Sequence, residues 1–363
     1  MFETELYVFL RHVFNPNSTM KRLFTILCLP LAVLFFACST DIDLYADYKE
    51  TPIIYALLDA TADTNYVKIT RVFSVEGDAY QTAINPDSSN YPGKLDVRII
   101  EYCNGDSLRE IILDTITVHN KEQGLFYAPD QKLYYTTEPL NLNSSGEHYS
   151  YRLKVVLPDR ILTTKADIVG NSSFGVQSLA VNFSKEYFGT VARQFLFHPA
   201  VNGAFYQVSM AFTFLEQRTP DDDSVPRTMH WDIGTFSTSE YFNYHTDGDA
   251  FVFPYRPETF YAELQEFIGG DTAIAGLKRY IGDYPVEVVI TAGGERLRQY
   301  IYNNDASEGF VIGDPEFSLI DGGYGVFSSR MTARQSVRLG GETVPDLVAM
   351  TNWGFKFIGG REE

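Results

Sequence analysis

The chain reads as a mainly β protein: an N-terminal Ig-like β-sandwich followed by a second β-rich region with a few short helices. Three observations predict this. Aromatic residues make up 15% of the 363 positions, with 24 Tyr and 27 Phe, and such rings, with Val, Ile and Thr, suit half-buried pleated surfaces. Short apolar or alternating runs recur through residues 51–170, separated by turn signals, as in a sandwich. Hydrophobic content of 45% is enough for real cores and argues against wholesale disorder.

The first element is an address. Residues 20–38, MKRLFTILCLPLAVLFFAC, join a basic start (Lys21, Arg22) to an uncharged apolar run and then to Ala37-Cys38. This is the layout of a cleavable bacterial export signal that ends at a cysteine to be lipidated. The run is short for a membrane span, which needs about 20 apolar residues. The reading is therefore a signal peptide over 1–37, with Cys38 as the acylated first residue. Phe35 and Phe36 depart from the usual residues before such a cut. Residues 1–19 precede a better start at Met20, since the basic residues of a signal normally lie near its beginning. Several acyl chains on Cys38 would anchor the protein firmly to a bilayer. Residues 38–50 form a polar tether with Asp41, Asp43 and Asp47. It reads equally as a solvated linker or as a mark of surface lipoproteins.

About 325 residues remain after cleavage, which suggests two domains, 51–170 and 171–363. In the first, TPIIYALLDA is a buried strand and NYVKITRVFSV an imperfectly alternating one. Residues 76–93 read as a long loop, with turn chemistry at Asn85-Pro86-Asp87 and Pro92-Gly93. KLDVRIIEY alternates Leu95, Val97 and Ile99 with polar residues, a half-buried strand. Asn104-Gly105 predicts a tight hairpin turn into LREIILDTITV, read as one strand, because both residues tolerate positive φ. LFYAPDQKLYYTT is read as a further strand pair. HYSYRLKVVLP and ILTTKADIV form a closing hairpin around Asp159-Arg160, with Tyr149, Tyr151, Leu153 and Val155 on one face. GNSSFG at 170–175 marks the boundary.

In the second region GAFYQVSMAFTFLEQR and RTMHWDIGTF predict a long hairpin with an acidic tip at Asp221-Asp222-Asp223. RPETFYAELQEFIGG predicts a helix: Pro257 fits its first turn, and Phe260, Leu264, Phe267 and Ile268 form one buried stripe. Gly269-Gly270 stops it. DTAIAGLKRYIG is expected as a weaker helix, YPVEVVITA as a strand, and GERLRQYIYNN as a short helix with Leu297, Tyr300 and Ile301 inward. PEFSLIDGGYGVFSSR and NWGFKFIGG are strand-like. No repeat of 20–50 residues occurs.

Formal net charge is −18, and loss of the signal, with three cations and two acids, makes the mature chain slightly more negative. Such a polyanion repels nucleic acid and anionic surfaces and stays soluble after export. After removal of Cys28 and lipidation of Cys38, only Cys103 remains, so no intramolecular disulfide is available to an exported chain. With no His or cation beside it, Cys103 reads as a small strand residue.

No catalytic signature is present. His119, His148, His198, His230 and His245 show no metal-ligand spacing, and HTDGD at 245–249 lacks the carboxylates and distal Glu of a calcium loop. No nucleophile elbow, phosphate-cradling loop or dinucleotide fingerprint occurs. No metal and no cofactor are expected, and no catalytic residue is assigned. The remaining functional material is aromatic. Tyr241, Phe242, Tyr244, Phe251, Phe253 and Tyr255 crowd one segment. Exposed rings stack on sugars or peptides at low entropy cost. The Phe residues read as core beside Pro254 and Pro257, while Tyr241, Tyr244, His245 and Tyr255 are the candidate ligand contacts.

Four segments carry a resemblance: Cys38 with its acidic tether, PIIYALLDATADTNYVKITRVFSVEGDA, the hairpin near 149–169, and DGGYGVFSSR. The chain resembles a family of uncharacterised Bacteroidota outer-membrane lipoproteins, defined only as a domain of unknown function. An early strand, an Ig-like hairpin and a Gly-Gly-x-Gly-x-Phe segment recur there. They match residues 53–59, residues 151–168, and Gly322, Gly323, Gly325 and Phe327. The resemblance implies no catalytic residue. It implies a place near TonB-dependent receptors of the outer membrane, and so an accessory role in uptake. Gly322-Gly323 itself reads as backbone, a tight turn or positive φ before a strand.

The expectation is thus a non-enzymatic binding or accessory lipoprotein at the outer membrane, partnered by a TonB-dependent receptor and by the bilayer through Cys38. A surface glycan or peptide hydrolase with dispersed carboxylates stays open, since such a pair is set by separation in space. So does a structural or adhesive surface protein.

Overall fold

A computed structural model describes residues 51–72, 79–124, 126–190, 192–237, 251–269, 276–304 and 318–358. Its elements run in chain order from β1 (Pro52–Leu58) and β2 (Asn65–Arg71) to two one-turn helices, α1 (Ala79–Ala83) and α2 (Pro86–Ser89). Then come β3 (Asp96–Cys103), β4 (Asp106–Ile112), β5 (Asp114–Val118), β6 (Gln131–Thr136), β7 (Tyr149–Val156) and β8 (Ile161–Asp167). The second half holds β9 (Gly175–Val176), β10 (Ala180–Val181), β11 (Arg193–His198), β12 (Phe205–Gln217), β13 (Val225–Ser237) and β14 (Phe251–Tyr255). It continues through α3 (Pro257–Ile268), β15 (Lys278–Ile281), β16 (Val286–Gly293), α4 (Glu295–Asn304), β17 (Tyr324–Leu339), α5 (Thr343–Ala349) and β18 (Phe355–Phe357). The fold is mainly β with a few short helices.

The first half is a sandwich. One layer is the run β1-β2-β6-β5, and the other is the four-stranded sheet β4-β3-β7-β8. Strand alternation sends Ile54, Ala56, Val67, Ile69 and Tyr134 inward from one layer and Val97, Ile99, Tyr151, Leu153 and Val155 from the other. Asn104 and Gly105 carry φ of 50° and 96°, the positive values that the tight turn between β3 and β4 requires.

Three stretches of this half differ from the sequence expectation. The stretch 108–118 is two strands. At Leu113, fully buried, the chain leaves one layer for the other, and the Leu113 amide donates to Val97 O (2.9 Å) instead of continuing the β4 ladder. No Gly or Pro marks the crossing, so periodicity alone reads straight through it. The expected strand pair over 125–137 is corrected where it is described: residues 126–137 hold a single strand, β6. The expected loop over 76–93 contains α1 and α2; Asn85 caps α2 by accepting the Asp87 amide (3.0 Å), with Pro86 at the first position.

The second half builds on the β12–β13 hairpin, whose 13-residue strands reach the acidic tip at 218–224. Strand β12 also pairs with β16 and, at its far end, with β15. Helix α3 lays Phe260, Tyr261, Leu264 and Ile268 on this layer. Phe260 stacks on Phe183 (4.3 Å between centroids) and meets Phe212 edge-on (5.2 Å). The expected helix over 271–282 is corrected where it is described: 278–281 is strand β15, pairing with β12 and β18. Leu277, Arg279 and Ile281 alternate inward, and a buried arginine disguises that period as a helix surface. In α4 no residue is buried; Leu297 and Tyr300 are half-buried and Ile301 is exposed, so the expected inward face is only partly used.

Each half also buries a paired glutamate. Glu101 holds Arg109 Nε, Tyr151 Oη (2.7 Å) and Asn141 Nδ2 (2.8 Å). Glu216 accepts from Arg227 and Arg279, both at 2.9 Å, and the wholly buried Arg279 also donates to Trp353 O (2.6 Å). Burial alone would raise both carboxyls; the hydrogen bonds and positive charges outweigh it and hold both below the ordinary value.

One strand joins the halves. The first six residues of β17 pair in parallel with β1, from Ile53↔Tyr324 to Leu58↔Ser329. Its later residues pair antiparallel with β16, from Gly293↔Arg330 to Val286↔Val337. Phe327 therefore packs in the first core, and Met331 and Val337 in the second. At the handover Ser329 Oγ accepts the Val169 amide (2.9 Å) and donates to Asp167 O (2.6 Å). The cores divide there, between Ile168 and Val169. The glycines of 322–325 make the ladder possible: Gly322 turns at φ 72°, and a Cβ on Gly325 (φ 103°) would lie 2.0 Å from Ile54 O.

Two outcomes follow from these features. Gly325→Ala should lose about 2 kcal/mol or more of stability through positive φ and the backbone clash, read as a lowered urea midpoint; an unchanged midpoint would mean that β1 and β17 are not so closely paired. Because Glu101 and Glu216 titrate lower folded than unfolded, their contribution is present above pH 4.5, the ordinary carboxylate value, and is lost as pH falls through their folded values. Unfolding followed against pH should show stability falling below about pH 4.5, and a flat profile across that range would contradict the pairing.

Candidate functional site

A groove of about 430 Å³ opens on the first half, over β1, β2 and β6. The alternation that sends Ile54, Ile69 and Tyr134 into the core turns Tyr55, Lys68, Thr70 and Gln131 the other way. Register sets Tyr55 beside Lys68 and Ile53 beside Thr70. The segment between β5 and β6 adds Lys121, Phe126, Tyr127 and Asp130, and Lys132 is the second residue of β6. Ser89 and Asn90 close the end near α2. Beyond Tyr55, α4 contributes Tyr300, whose ring meets Tyr55 edge-on (6.1 Å) and whose hydroxyl donates to the Tyr55 hydroxyl (3.2 Å). Burial first, and then this bond, pushes the Tyr300 phenol up to about 12.

The groove concentrates cations in a strongly acidic chain. Lys68 Nζ donates to Gln131 Oε1 (3.0 Å) and Lys121 Nζ to Tyr127 O (2.6 Å), the latter also lying 5.6 Å from the Phe126 ring centroid. Lys132 Nζ donates to Tyr91 O (2.8 Å) and Gly93 O (2.6 Å). An ammonium has three donors, so N–H groups remain unspent on all three lysines, and none of them pairs with a carboxylate among the described residues. Asp130, the lining acid, is engaged by His119 Nδ1 (2.5 Å) and by the Tyr127 hydroxyl (3.4 Å). Desolvation, and then the charge of Lys121, lowers the Lys68 amine; desolvation also lowers Lys132. Like charges held together and partly dried favour an anion between them. The rings of Tyr55, Phe126 and Tyr127 supply an apolar body to the same space.

Of the residues singled out in the sequence, Cys38, Tyr241, Tyr244 and His245 lie outside the described residues. Tyr255 is described and belongs to the second core. It is 5% exposed, its ring meets Phe183 edge-on (5.4 Å), and its hydroxyl accepts the Asn182 amide (2.8 Å). It borders a separate recess of about 340 Å³ with Trp231, Asp232 and Arg256. Phe253 is buried and Phe251 half-buried in the same cluster, as the core reading of those rings expects. Among the described residues no three His, Cys, Asp or Glu side chains gather as a metal site, and no helix is long and apolar enough to cross a membrane.

The groove lysines escaped the sequence reading because Lys68 and its partner Gln131 stand 63 residues apart. The only local sign is the polar face Tyr66/Lys68/Thr70 on β2, which is the pattern of any solvated strand. No family model matches the chain, and no curated protein matches it.

Tyr255→Phe should cost about 1 kcal/mol of stability by removing the acceptor of the Asn182 amide. Thermal unfolding checks this; an unchanged melting temperature would show the hydroxyl uncommitted and available to a ligand.

Proposed function

We propose that this chain is an exported, lipid-anchored binding protein of the outer membrane that holds an anionic ligand in the β1-β2-β6 groove and works beside an outer-membrane receptor of the TonB-dependent kind. The observation that carries the reading is the set of lysines in the groove, with unspent donors between exposed rings, on a chain whose formal charge is −18. A solvated surface would scatter its cations among its acids; here they are collected around a ligand-sized space. The export layout at 20–38 and the acidic tether support the location, and the resemblance to outer-membrane lipoproteins supports the partner. Binding without chemistry fits the groove's content: ammonium groups, the Arg71 guanidinium, amides, hydroxyls and rings, and a single carboxylate already engaged by His119.

The anchor and the partner are tested together. Wild-type protein should fractionate with membranes and co-purify with a receptor in stoichiometric amount under mild detergent. Cys38→Ser should move it to the soluble fraction, since lipidation is its only proposed hold on the bilayer. Retention of Cys38→Ser in the membrane would overturn the anchor, and recovery of the wild type alone would overturn the partnership.

A further inference from the structure

The groove also restricts the chemistry of what it can hold. Resting on the binding reading above, we infer that its ligand is a short acidic carbohydrate, a sugar ring bearing a carboxylate or sulfate, with the ring face against Tyr55, Phe126 and Tyr127 and the acid group between Lys68 and Lys121.

Strand β1 lies between β17 and β2, β2 between β1 and β6, and β6 between β2 and β5. Strands β2 and β6 pair only from Asn65↔Thr136 to Val67↔Tyr134, so the groove opens where they part beyond Val67, and side chains of both strands line it.

The side chains are of two kinds, interleaved. Lys68 and Lys121 are compact point charges, each with donors beyond the one it gives to Gln131 or Tyr127, and so accept a carboxylate or a sulfate without demanding a planar, two-pronged partner. Around them stand rings with exposed faces: Tyr55 is 42% and Phe126 49% exposed. A pyranose offers the matching pair of surfaces, an apolar C–H face for a ring and hydroxyls for the amides and hydroxyls of Gln131, Asn90 and Thr70 at the groove walls. A ligand with charge alone leaves the rings unused, and one with apolar surface alone leaves the ammonium groups unsatisfied.

Size and overall charge narrow the choice. A volume of about 430 Å³ lies toward the small end of ligand clefts and suits roughly one or two sugar rings. A long polyanion such as single-stranded nucleic acid would extend past the few local cations into the field of a strongly negative chain. A short acidic sugar sets its charge only where the cations are.

The test is calorimetric titration of the lipidated chain in detergent with four probes: digalacturonate, its neutral counterpart galactobiose, a sulfated disaccharide, and the acidic dipeptide Glu-Glu. Expected is binding of digalacturonate or the sulfated disaccharide, weakened by salt, and about tenfold tighter than galactobiose, as a charge-assisted contact gives. Lys68→Met should lower the acidic-sugar affinity about tenfold, and Tyr55→Ala should lower the affinity for either acidic sugar while circular dichroism stays unchanged. The relative response to carboxylate and sulfate names the acid group. Equal affinity for digalacturonate and galactobiose would overturn the inference. So would tighter binding of Glu-Glu that depends on Lys68 and not on Tyr55; that result would leave the groove a binding site and change its ligand class. Binding of none of the probes would also overturn the inference, the membrane fractionation above judging the anchor independently.

Discussion

The parallel ladder between β1 and the first part of β17 is the constraint on which the rest of the structure depends. It brings together the start of the described chain and a strand more than 260 residues later. Without it the first sandwich loses Phe327 from its core and β1 loses one neighbour. Because β17 continues into the ladder with β16, the β16-β12-β15 part of the same sheet is fixed in register by the same strand. Such a pairing tolerates little bulk, and the glycines at 323 and 325 supply the room: a Cβ at either position would crowd the carbonyl of Pro52 or Ile54. The Gly-Gly-x-Gly-x-Phe segment is thus explained as backbone chemistry, with its Phe as a core side chain.

The halves meet through hydrogen bonds as well as through the sheet. Ser329 bonds the main chain on both sides of Ile168, while Asn143 and Asn202 each donate to Ile168 O at 2.9 Å. The second core is rich in Phe, Tyr and Trp and the first is mostly aliphatic, and the two buried glutamates each draw several partners out of their surroundings. Cys103, the one cysteine among the described residues, is unpaired, so that part of the chain is held by contacts of this kind. A buried ion pair is weak as a source of stability, but removing one partner leaves a costly charge, so a state that buries one member of either cluster without its partners is disfavoured.

Much of the fold was legible because strands write period two into the sequence. Val97 and Ile99 on β3, Tyr151 to Val155 on β7, and Val208 to Phe214 on β12 alternate clearly enough to be read one residue at a time. Legibility failed where tertiary context overrode the local pattern. Leu113 carries the chain between layers with no turn residue, and Arg279 faces inward only because Glu216 and Trp353 receive it. The candidate site was nearly invisible. Lys68, Lys121 and Lys132 come from two strands and a connecting segment, and nothing in the spacing of 68, 121 and 132 announces a common space. The aromatic segment that drew attention instead contributes Phe253 and Tyr255 to the core: the same rings that suggest a binding surface are those a β core needs.

The groove's lysines link structure to function, because the free energy that makes them an anion site also appears in their own titration. Desolvation and the neighbouring Lys121 disfavour the charged form of Lys68, and a bound acid must restore it. The most direct measurement is an NMR titration of the lysine side-chain amines with and without digalacturonate. The account predicts that Lys68 titrates below the ordinary lysine value in the free protein and moves upward when the acid sugar binds. A Lys68 amine that titrates with the exposed surface lysines and ignores the ligand would contradict it.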